Sequence, residues 1–302
     1  MQIKSLEFFD FKTYAHFSIS ARQRNVLVGP NNIGKSTALD ALRIAFDVLR
    51  FASRRKPFLK TQGSDDVCAT YLVPPSVIQS DLRYCVHYFD SGPARINIKI
   101  ANGATLKLII PPDGDVEAFL VADERAHRSA GYLKAAFPLD IVVVPTLSPL
   151  EQNEELVTEE TVASNRFSRL ASRSFRTYWY RQSDNDFEEF ADLVELGWPG
   201  LRIRKPILER TEGKPVLRMY FRQGSSVREV QWAGFGFQVW MQTMMHLRNA
   251  SKNSVLVLDE PDVYLHPDLQ HRLLKIVSRR VGQSLSRPTR QRSSMTLNQV
   301  MC

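Results

Sequence analysis

Between Met1 and Ile19 apolar side chains recur at Ile3, Leu6, Phe8, Phe11 and Phe17 among polar neighbours. That alternation predicts two antiparallel strands joined near Asp10 to Tyr14. Val26-Leu27-Val28 reads as a short buried strand. From Ala38 to Leu49 the period becomes helical, with Leu39, Leu42, Phe46 and Leu49 on one face. A polar connection is expected over residues 51 to 67, followed by β signals at Leu82 to Phe89, Arg95 to Ile100 and Thr105 to Ile110. The last two flank Asn102-Gly103, a pair that tolerates the positive φ of a tight hairpin turn, so a β-meander is predicted. Pro111-Pro112-Asp113-Gly114 closes it, and Val116 to Lys134 is expected to be partly helical.

Ile141 to Val144 is a β-branched run suited to a strand covered on both faces. Glu151 to Trp198 then changes character: charge rises and helical spacing returns at Val162, Leu170, Phe187, Phe190, Leu193 and Leu196. A helical lobe is expected there. A hairpin is predicted from Val216 to Phe221 and Val227 to Gln231 across Gly224, then a buried helix from Phe237 to Leu247. Val255 to Leu258 reads as a central strand and Asp268 to Val277 as its crossover helix. The predicted fold class is α/β, a mixed central sheet with an antiparallel β-subdomain and an inserted helical lobe.

Chemistry enters at Gly29-Pro-Asn-Asn-Ile-Gly-Lys-Ser-Thr37, a complete P-loop pattern set between the strand and the helix that such a loop needs. Gly29, Pro30, Asn31, Asn32, Gly34 and Thr37 belong to the loop and helix N-terminus whose backbone N–H groups cradle phosphates. Lys35 would reach the β- and γ-phosphates of ATP, and the Ser36 hydroxyl would sit on Mg²⁺. Farther on, Val255-Leu-Val-Leu258 runs into Asp259-Glu260-Pro261, an apolar strand ending in paired carboxylates. Asp259 is the expected second metal residue, and Glu260 is the expected catalytic base for the attacking water, with Lys35 as its catalytic partner.

These motifs resemble the ABC-type ATPase class that includes the RecF, SMC and OLD families, the OLD-like phage-defence ATPases most of all. The opening Met1 to Lys12 resembles the class's first strand, with Lys12 in place of an arginine, and Leu258-Asp-Glu-Pro-Asp-Val-Tyr-Leu-His-Pro267 matches closely. Ala233-Gly-Phe-Gly-Phe-Gln238 occupies the signature position, where Gly234 and Gly236 would meet the nucleotide of a second head. The resemblance implies a homodimer closing around ATP and Mg²⁺ to control a DNA-directed or phage-defence activity, acting with DNA, a nuclease partner or a C-terminal Toprim domain. Phe235 stands where a phosphate-binding serine is common, and the metal-sensing glutamine has only Gln152 near its expected place. A second expectation is therefore an ATP-binding scaffold without useful hydrolysis.

The resemblance also implies a strand ending in Thr-His-Ser after the crossover helix. Residues 282–302 instead read as an aperiodic basic tail, expected to be disordered. Read one base out of phase with permitted codons, Gln283 to Met301 yields an apolar strand followed by Thr-His-Ser. The expectation is a frameshift near residue 281, with loss of the histidine and of any domain beyond. The expected organisation is 1–150 and 201–281 as the two parts of the ATPase head, 151–200 as the helical lobe, and 282–302 as the out-of-frame tail.

Bulk composition adds limits. Hydrophobic residues at 43% and charged residues at 24% describe a globular chain, and no apolar run approaches membrane-spanning length. Cys68, Cys85 and Cys302 are scattered without metal-ligand spacing, which points to reduced thiols and a cytoplasmic protein. A net charge of +8 makes an anionic partner plausible, although much of the excess lies in the tail. Arg166, Arg169, Arg173, Arg176 and Arg181, interleaved with Phe167, Phe175, Tyr178 and Trp179, form a candidate basic stripe for nucleic acid, against the plainer reading of a solvated helix face. Trp198, Trp232 and Trp240 are expected in the core.

Overall fold

The structure is a computed structural model and describes the chain except residues 31–32, 63–65, 89–91, 123–125, 127, 167, 169, 212, 290–298 and 302. In chain order β1 (Ile3–Phe11) and β2 (Tyr14–Ser20) are followed by β3 (Arg24–Val28), α1 (Lys35–Ala52), β4 (Phe58–Gln62) and β5 (Asp66–Val73). Then come β6 (Ala94–Ile100), β7 (Thr105–Ile110), β8 (Val116–Val121), α2 (Tyr132–Ala136) and β9 (Asp140–Val144). The helices α3 (Glu159–Asn165), α4 (Phe175–Arg181) and α5 (Asp184–Glu195) precede β10 (Leu201–Ile203), β11 (Ile207–Thr211), β12 (Lys214–Arg218), β13 (Tyr220–Gln223) and β14 (Ser226–Glu229). The chain ends through α6 (Phe235–Arg248), β15 (Ser254–Asp259), α7 (Pro267–Arg280), β16 (Gln283–Arg287) and β17 (Gln299–Met301).

Two large sheets organise the head, and two small ones, β10-β13-β14 and β11-β12, stand beside them. One large sheet is antiparallel, in the order β2-β1-β6-β7-β8-β5-β4; the other is parallel, in the order β17-β3-β16-β15-β9. Helix α1 lies between them, packed on β5 of the first and on β9, β15 and β16 of the second. Its buried face is rich in small residues, Ala38, Ala41 and Ala45 beside Leu39, Leu42, Ile44 and Val48. Small side chains let the helix approach both sheets closely.

The parallel strands divide their side chains between two cores. Val255 and Val257 of β15, with Ile141 and Val143 of β9, join the core that contains α1. Leu256 and Leu258, with Val142 and Val144, join the core built by α5, α6 and α7. This two-sided burial is why these strands are continuously apolar in sequence. The arrangement fixes the C-terminal end of β15 beside the N-terminus of α1.

Several expectations change. The polar connection after α1 contains β4, paired with β5 from Phe58↔Thr70 to Gln62↔Asp66. Leu82–Tyr84 is a 3₁₀ turn capped by Asp81, not a strand. Val116 to Val121 is β8, not helix: the meander continues past Pro111–Gly114 because β8 pairs on both sides, with β7 and β5. The hairpin expected from Val216 splits at Met219, so that β12 pairs with β11 while β13 turns into β14 across Gly224. Trp240 is fully buried, but Trp232 is 79% exposed, so the core assignment of Trp232 was wrong.

The largest correction concerns the tail. Residues 283–287, expected to be disordered, form β16 between β15 and β3, and Gln299–Met301 pair with β3. Neighbours on both edges complete the backbone ladder of β16, and its polar side chains find buried partners. Gln283 Nε2 donates to the carbonyls of Ile3 and Arg22 at 2.9 and 2.8 Å, and its Oε1 accepts from Ile3 N–H at 2.8 Å. Its polar sequence is therefore compatible with a buried strand.

Candidate functional site

The P-loop geometry begins at Gly29 and Gly34, while Asn31 and Asn32 lie outside the described residues. Gly34 has φ +96° and caps α1, and a Cβ there would fall 2.4 Å from the Tyr14 hydroxyl. Only glycine meets both conditions without strain. Lys35 folds back across its own loop, donating to the carbonyls of Gly29 and Pro30 at 2.6 Å each. Thr37 turns inward: it is 4% exposed, and its hydroxyl lies 3.1 Å from that of Thr13 in the β1–β2 turn.

The carboxylates close the other side. Asp259 ends β15 with its side chain 3% exposed, and Glu260 follows at φ +53°, a conformation unusual for a non-glycine residue. Asp259 Oδ2 accepts from Arg43 Nη2 at 2.6 Å and from the Thr146 hydroxyl at 3.1 Å. Asp259 Oδ1 accepts from Arg287 Nε at 2.7 Å. The same guanidinium donates to Ser36 Oγ at 2.8 Å and to Glu260 Oε1 at 2.9 Å. Burial works against the charged form of Asp259, but the charges and hydrogen bonds of Arg43 and Arg287 outweigh it and hold the carboxyl below the ordinary aspartate range.

Ser36 and the adjacent pair Asp259 and Glu260, far from it in sequence, are thus gathered around one guanidinium. The set extends outward, since Arg43 Nη1 and Lys12 Nζ both bind Asp40, at 2.9 and 2.6 Å. Sequence reading missed Arg43, Thr146 and Arg287. The signal for Arg43 was its place on α1, three residues after Asp40. Arg287 was hidden in the residues expected to be disordered.

Gly234 is the N-cap of α6, with open space around it, whereas a Cβ on Gly236 would meet the Tyr264 carbonyl at 2.7 Å. The signature segment therefore packs on the loop after β15. Gln238 fixes the segment from behind, accepting from Leu150 N–H at 2.8 Å and donating to the carbonyls of Ala233 and Gln231 at 2.9 and 3.1 Å. Trp232, Phe235 and Tyr264 are exposed, and Phe235 lies edge-on to Tyr264 at 5.6 Å. Gln152 is exposed, and its carbonyl binds Arg218.

The candidate basic stripe does not lie on one face. Arg176 is fully buried in ion pairs with Glu154 and Glu229, Arg173 is 61% exposed, and Arg169 is outside the described residues. Among the described residues no group of three or more His, Cys, Asp or Glu could hold a metal ion, and no helix is long and apolar enough to cross a membrane.

As ligand types, a hydroxyl and a carboxylate from Ser36 and Asp259 suit Mg²⁺, a hard cation that prefers oxygen. The oxygens they offer are nevertheless already bound by arginine: Arg287 on Ser36 Oγ, and Arg287 and Arg43 on Asp259. The residue types fit the metal, and their present partners compete with it.

A family profile described as "AAA domain, putative AbiEii toxin, Type IV TA system" matches residues 123–299, and one described as "AAA ATPase domain" matches residues 1–137. A search of curated proteins gives no match. Among solved structures the chain is similar to an SMC head bound to the C-winged helix domain of ScpA, at 17% identity and a TM-score of 0.54, covering 96% of this chain and 90% of that one. It is also similar to the recombination mediator protein RecF of the RecFOR pathway, at 11% identity and a TM-score of 0.54, covering 100% and 96%. The SMC head domain from Thermotoga maritima aligns at 14% identity and a TM-score of 0.49, covering 96% and 90%. The first two show the fold: an α/β head of the kind seen in the SMC head and RecF.

Proposed function

Because this chain belongs to the AAA-domain family whose profile spans residues 123–299, we propose that it is an ATP-binding head that closes with a second copy around nucleotide. The observation that carries this reading is the convergence of Ser36, at the start of α1, with Asp259 and Glu260, at the end of β15. The loop from Gly29 to Thr37 and the start of α1 receive the phosphates through backbone N–H groups, with Asn31 and Asn32 as part of that loop. Lys35 leaves the Gly29 and Pro30 carbonyls for the β- and γ-phosphates. Ser36 and Asp259 would hold Mg²⁺, which supplies charge neutralisation to the phosphates when bound. Glu260 orients the attacking water and accepts its proton.

Residues 1–150 and 201–281 then form the head together with β16 (Gln283–Arg287), and 151–200 its helical lobe. The exposed side chains of Trp232, Phe235 and Tyr264, with the open N-terminus of α6 at Gly234, support closure on a second head. In this reading closure controls a DNA-directed or phage-defence activity. A second reading, an ATP-binding scaffold without useful turnover, is favoured by one observation: Glu260 Oε1 already accepts from Arg287.

The experiment compares wild type, Lys35→Ala and Glu260→Gln for ATP binding and ATP hydrolysis. The proposal expects Lys35→Ala to lose binding by about tenfold or more, and Glu260→Gln to bind but not hydrolyse. Binding that is untouched by Lys35→Ala refutes it. Hydrolysis at background in wild type, with binding intact, selects the scaffold.

A further inference from the structure

The acidic end of the site already holds a cation, and that cation belongs to the chain. Arg287 is the last residue of β16, and its backbone is registered directly opposite Asp259 in the parallel sheet. Its carbonyl accepts the Glu260 N–H at 2.8 Å, so strand and carboxylates are locked together by main chain as well as side chain. The guanidinium is largely enclosed, at 17% side-chain exposure. Its three nitrogens reach three residues: Nε donates to Asp259 at 2.7 Å, Nη1 to Ser36 at 2.8 Å, and Nη2 to Glu260 at 2.9 Å while also lying 2.6 Å from Asp259 Oδ1.

A divalent metal and this guanidinium make the same demand. Mg²⁺ needs oxygen ligands at about 2.0–2.1 Å in a near-octahedral shell, and it binds through one or two side chains plus phosphate oxygens. Here Ser36 Oγ and Asp259 Oδ1, the oxygens that would contribute to such a shell, are donated to by Arg287. Asp259 Oδ2 faces Arg43 and Thr146. A planar guanidinium is also well suited to neutralising phosphate, since its donors form a rigid fork.

We propose that Arg287 is a tethered cation that competes with the divalent metal for Ser36 and Asp259, making nucleotide binding by this chain nearly indifferent to Mg²⁺. This rests on the nucleotide-binding reading above. The strand delivers the charge in a fixed position, so the entropic cost of placing a cation there is met on folding rather than on binding. It also predicts a specific asymmetry: removal of Arg287 creates metal dependence instead of abolishing binding.

The test measures ATP affinity by calorimetry, in excess Mg²⁺ and in EDTA, for wild type, Arg287→Ala, Arg287→Gln and Lys35→Ala. Arg43 stays on Asp259 in both Arg287 variants, so the carboxylate keeps a counter-charge; thermal melts confirm folding, and Arg287→Gln keeps chain length should the alanine variant fail to fold. The expected result is an affinity that changes less than about threefold with Mg²⁺ in wild type, and a gain of about tenfold or more with Mg²⁺ in the Arg287 variants. A wild type that already gains about tenfold from Mg²⁺, with variants no different, overturns the proposal. If no protein binds ATP in either condition, the nucleotide-site reading itself fails and the proposal falls with it. Binding that Lys35→Ala weakens in both conditions, with no metal effect in any Arg287 variant, leaves the site standing and overturns only the role of Arg287.

Discussion

Arg176 gives the sharpest test of how the helical lobe is fastened to the head. Its side chain is fully buried on α4, and its Nη2 binds Glu229 at 3.0 Å while its Nη1 lies 3.7 Å from Glu154 and donates to the Glu151 carbonyl at 2.7 Å. Glu154 is equally buried and accepts the N–H groups of Arg176 and Thr177 at 2.8 and 2.6 Å. Its own carbonyl accepts from Leu217 of β12. Glu229, at the other end, caps the turn that leads into Trp232 and the signature segment. Arg176→Met keeps most of the volume but leaves two carboxylates facing each other's field without a cation. Breaking a buried pair in this way costs about 3–5 kcal/mol. The two backbone donors to Glu154 place the expectation at the lower end, about 3 kcal/mol.

Urea unfolding of wild type and Arg176→Met measures this, with Arg173→Ala as a control. Arg173 pairs with Glu151 at 3.3 Å on an exposed surface, and its loss should cost under about 1 kcal/mol. The pH dependence supplies a second readout. Burial raises the Glu154 carboxyl above its ordinary value, while the Thr177 and Arg176 N–H groups and the Arg176 charge pull it back down. Without Arg176 the folded-state value rises further above the unfolded one. The folded variant then takes up a proton before its unfolded chain does, so its deficit should shrink as pH falls from about 8 to about 5. A cost under about 1 kcal/mol, or a deficit that grows on acidification, refutes the account.

Two further outcomes follow from other buried charges. His246 on α6 is held neutral, its pKa pushed down to about 3 by burial and, less, by the charge of Arg166. The unfolded chain therefore binds the proton first: stability is full above about pH 6.5 and falls by up to about 1.4 kcal/mol per pH unit toward acid, a slope that His246→Leu should reduce in urea midpoints between about pH 7 and 4. Equal slopes contradict it. Arg43→Ala removes the inner partner of both Asp40 and Asp259 and should lower stability by roughly 1–3 kcal/mol in thermal or urea unfolding, without creating the Mg²⁺ dependence expected of the Arg287 variants. An Arg43 variant that folds with wild-type stability and gains Mg²⁺ dependence would reverse the roles assigned to the two arginines.

The sequence was most legible where one residue type meets a backbone constraint. Gly34 must take φ +96° against the Tyr14 ring, and the apolar run ending in Asp259-Glu260 must be covered on both faces. Both demands leave a local signature. β16 was illegible for the opposite reason. Gln283, Ser284 and Ser286 are buried, but their burial is made tolerable by partners distant in sequence, Ile3, Arg22 and Asn25 among them. A period-based reading sees polar residues and assigns solvent. Arg176 failed in the same way: its spacing fits a solvated helical face, while Glu154 and Glu229 draw it inward. Within the span expected to be partly helical, Tyr132 to Lys134 is helix, while the apolar residues of Val116 to Val121 suit helix or strand alike and neighbours on both sides decide for strand.

The charges of the site form an ordered alternation: Lys12, Asp40, Arg43, Asp259, Arg287 and Glu260, each bound to the next. Positive and negative members balance, so this end of the site carries no net charge before any ligand arrives. Lys35 stands outside the alternation, on backbone carbonyls that carry no formal charge to compensate it. A nucleoside triphosphate entering the loop therefore meets an uncompensated cation at Lys35, whereas a divalent metal meets carboxylates whose charge is already spent. Attraction for the anion and indifference to the metal follow from one arrangement. The two arginines divide it between them. Arg43 rises from the middle of the packed helix α1 and joins Asp259 to the fold, while Arg287 ends β16 and joins Asp259 to Ser36 and Glu260.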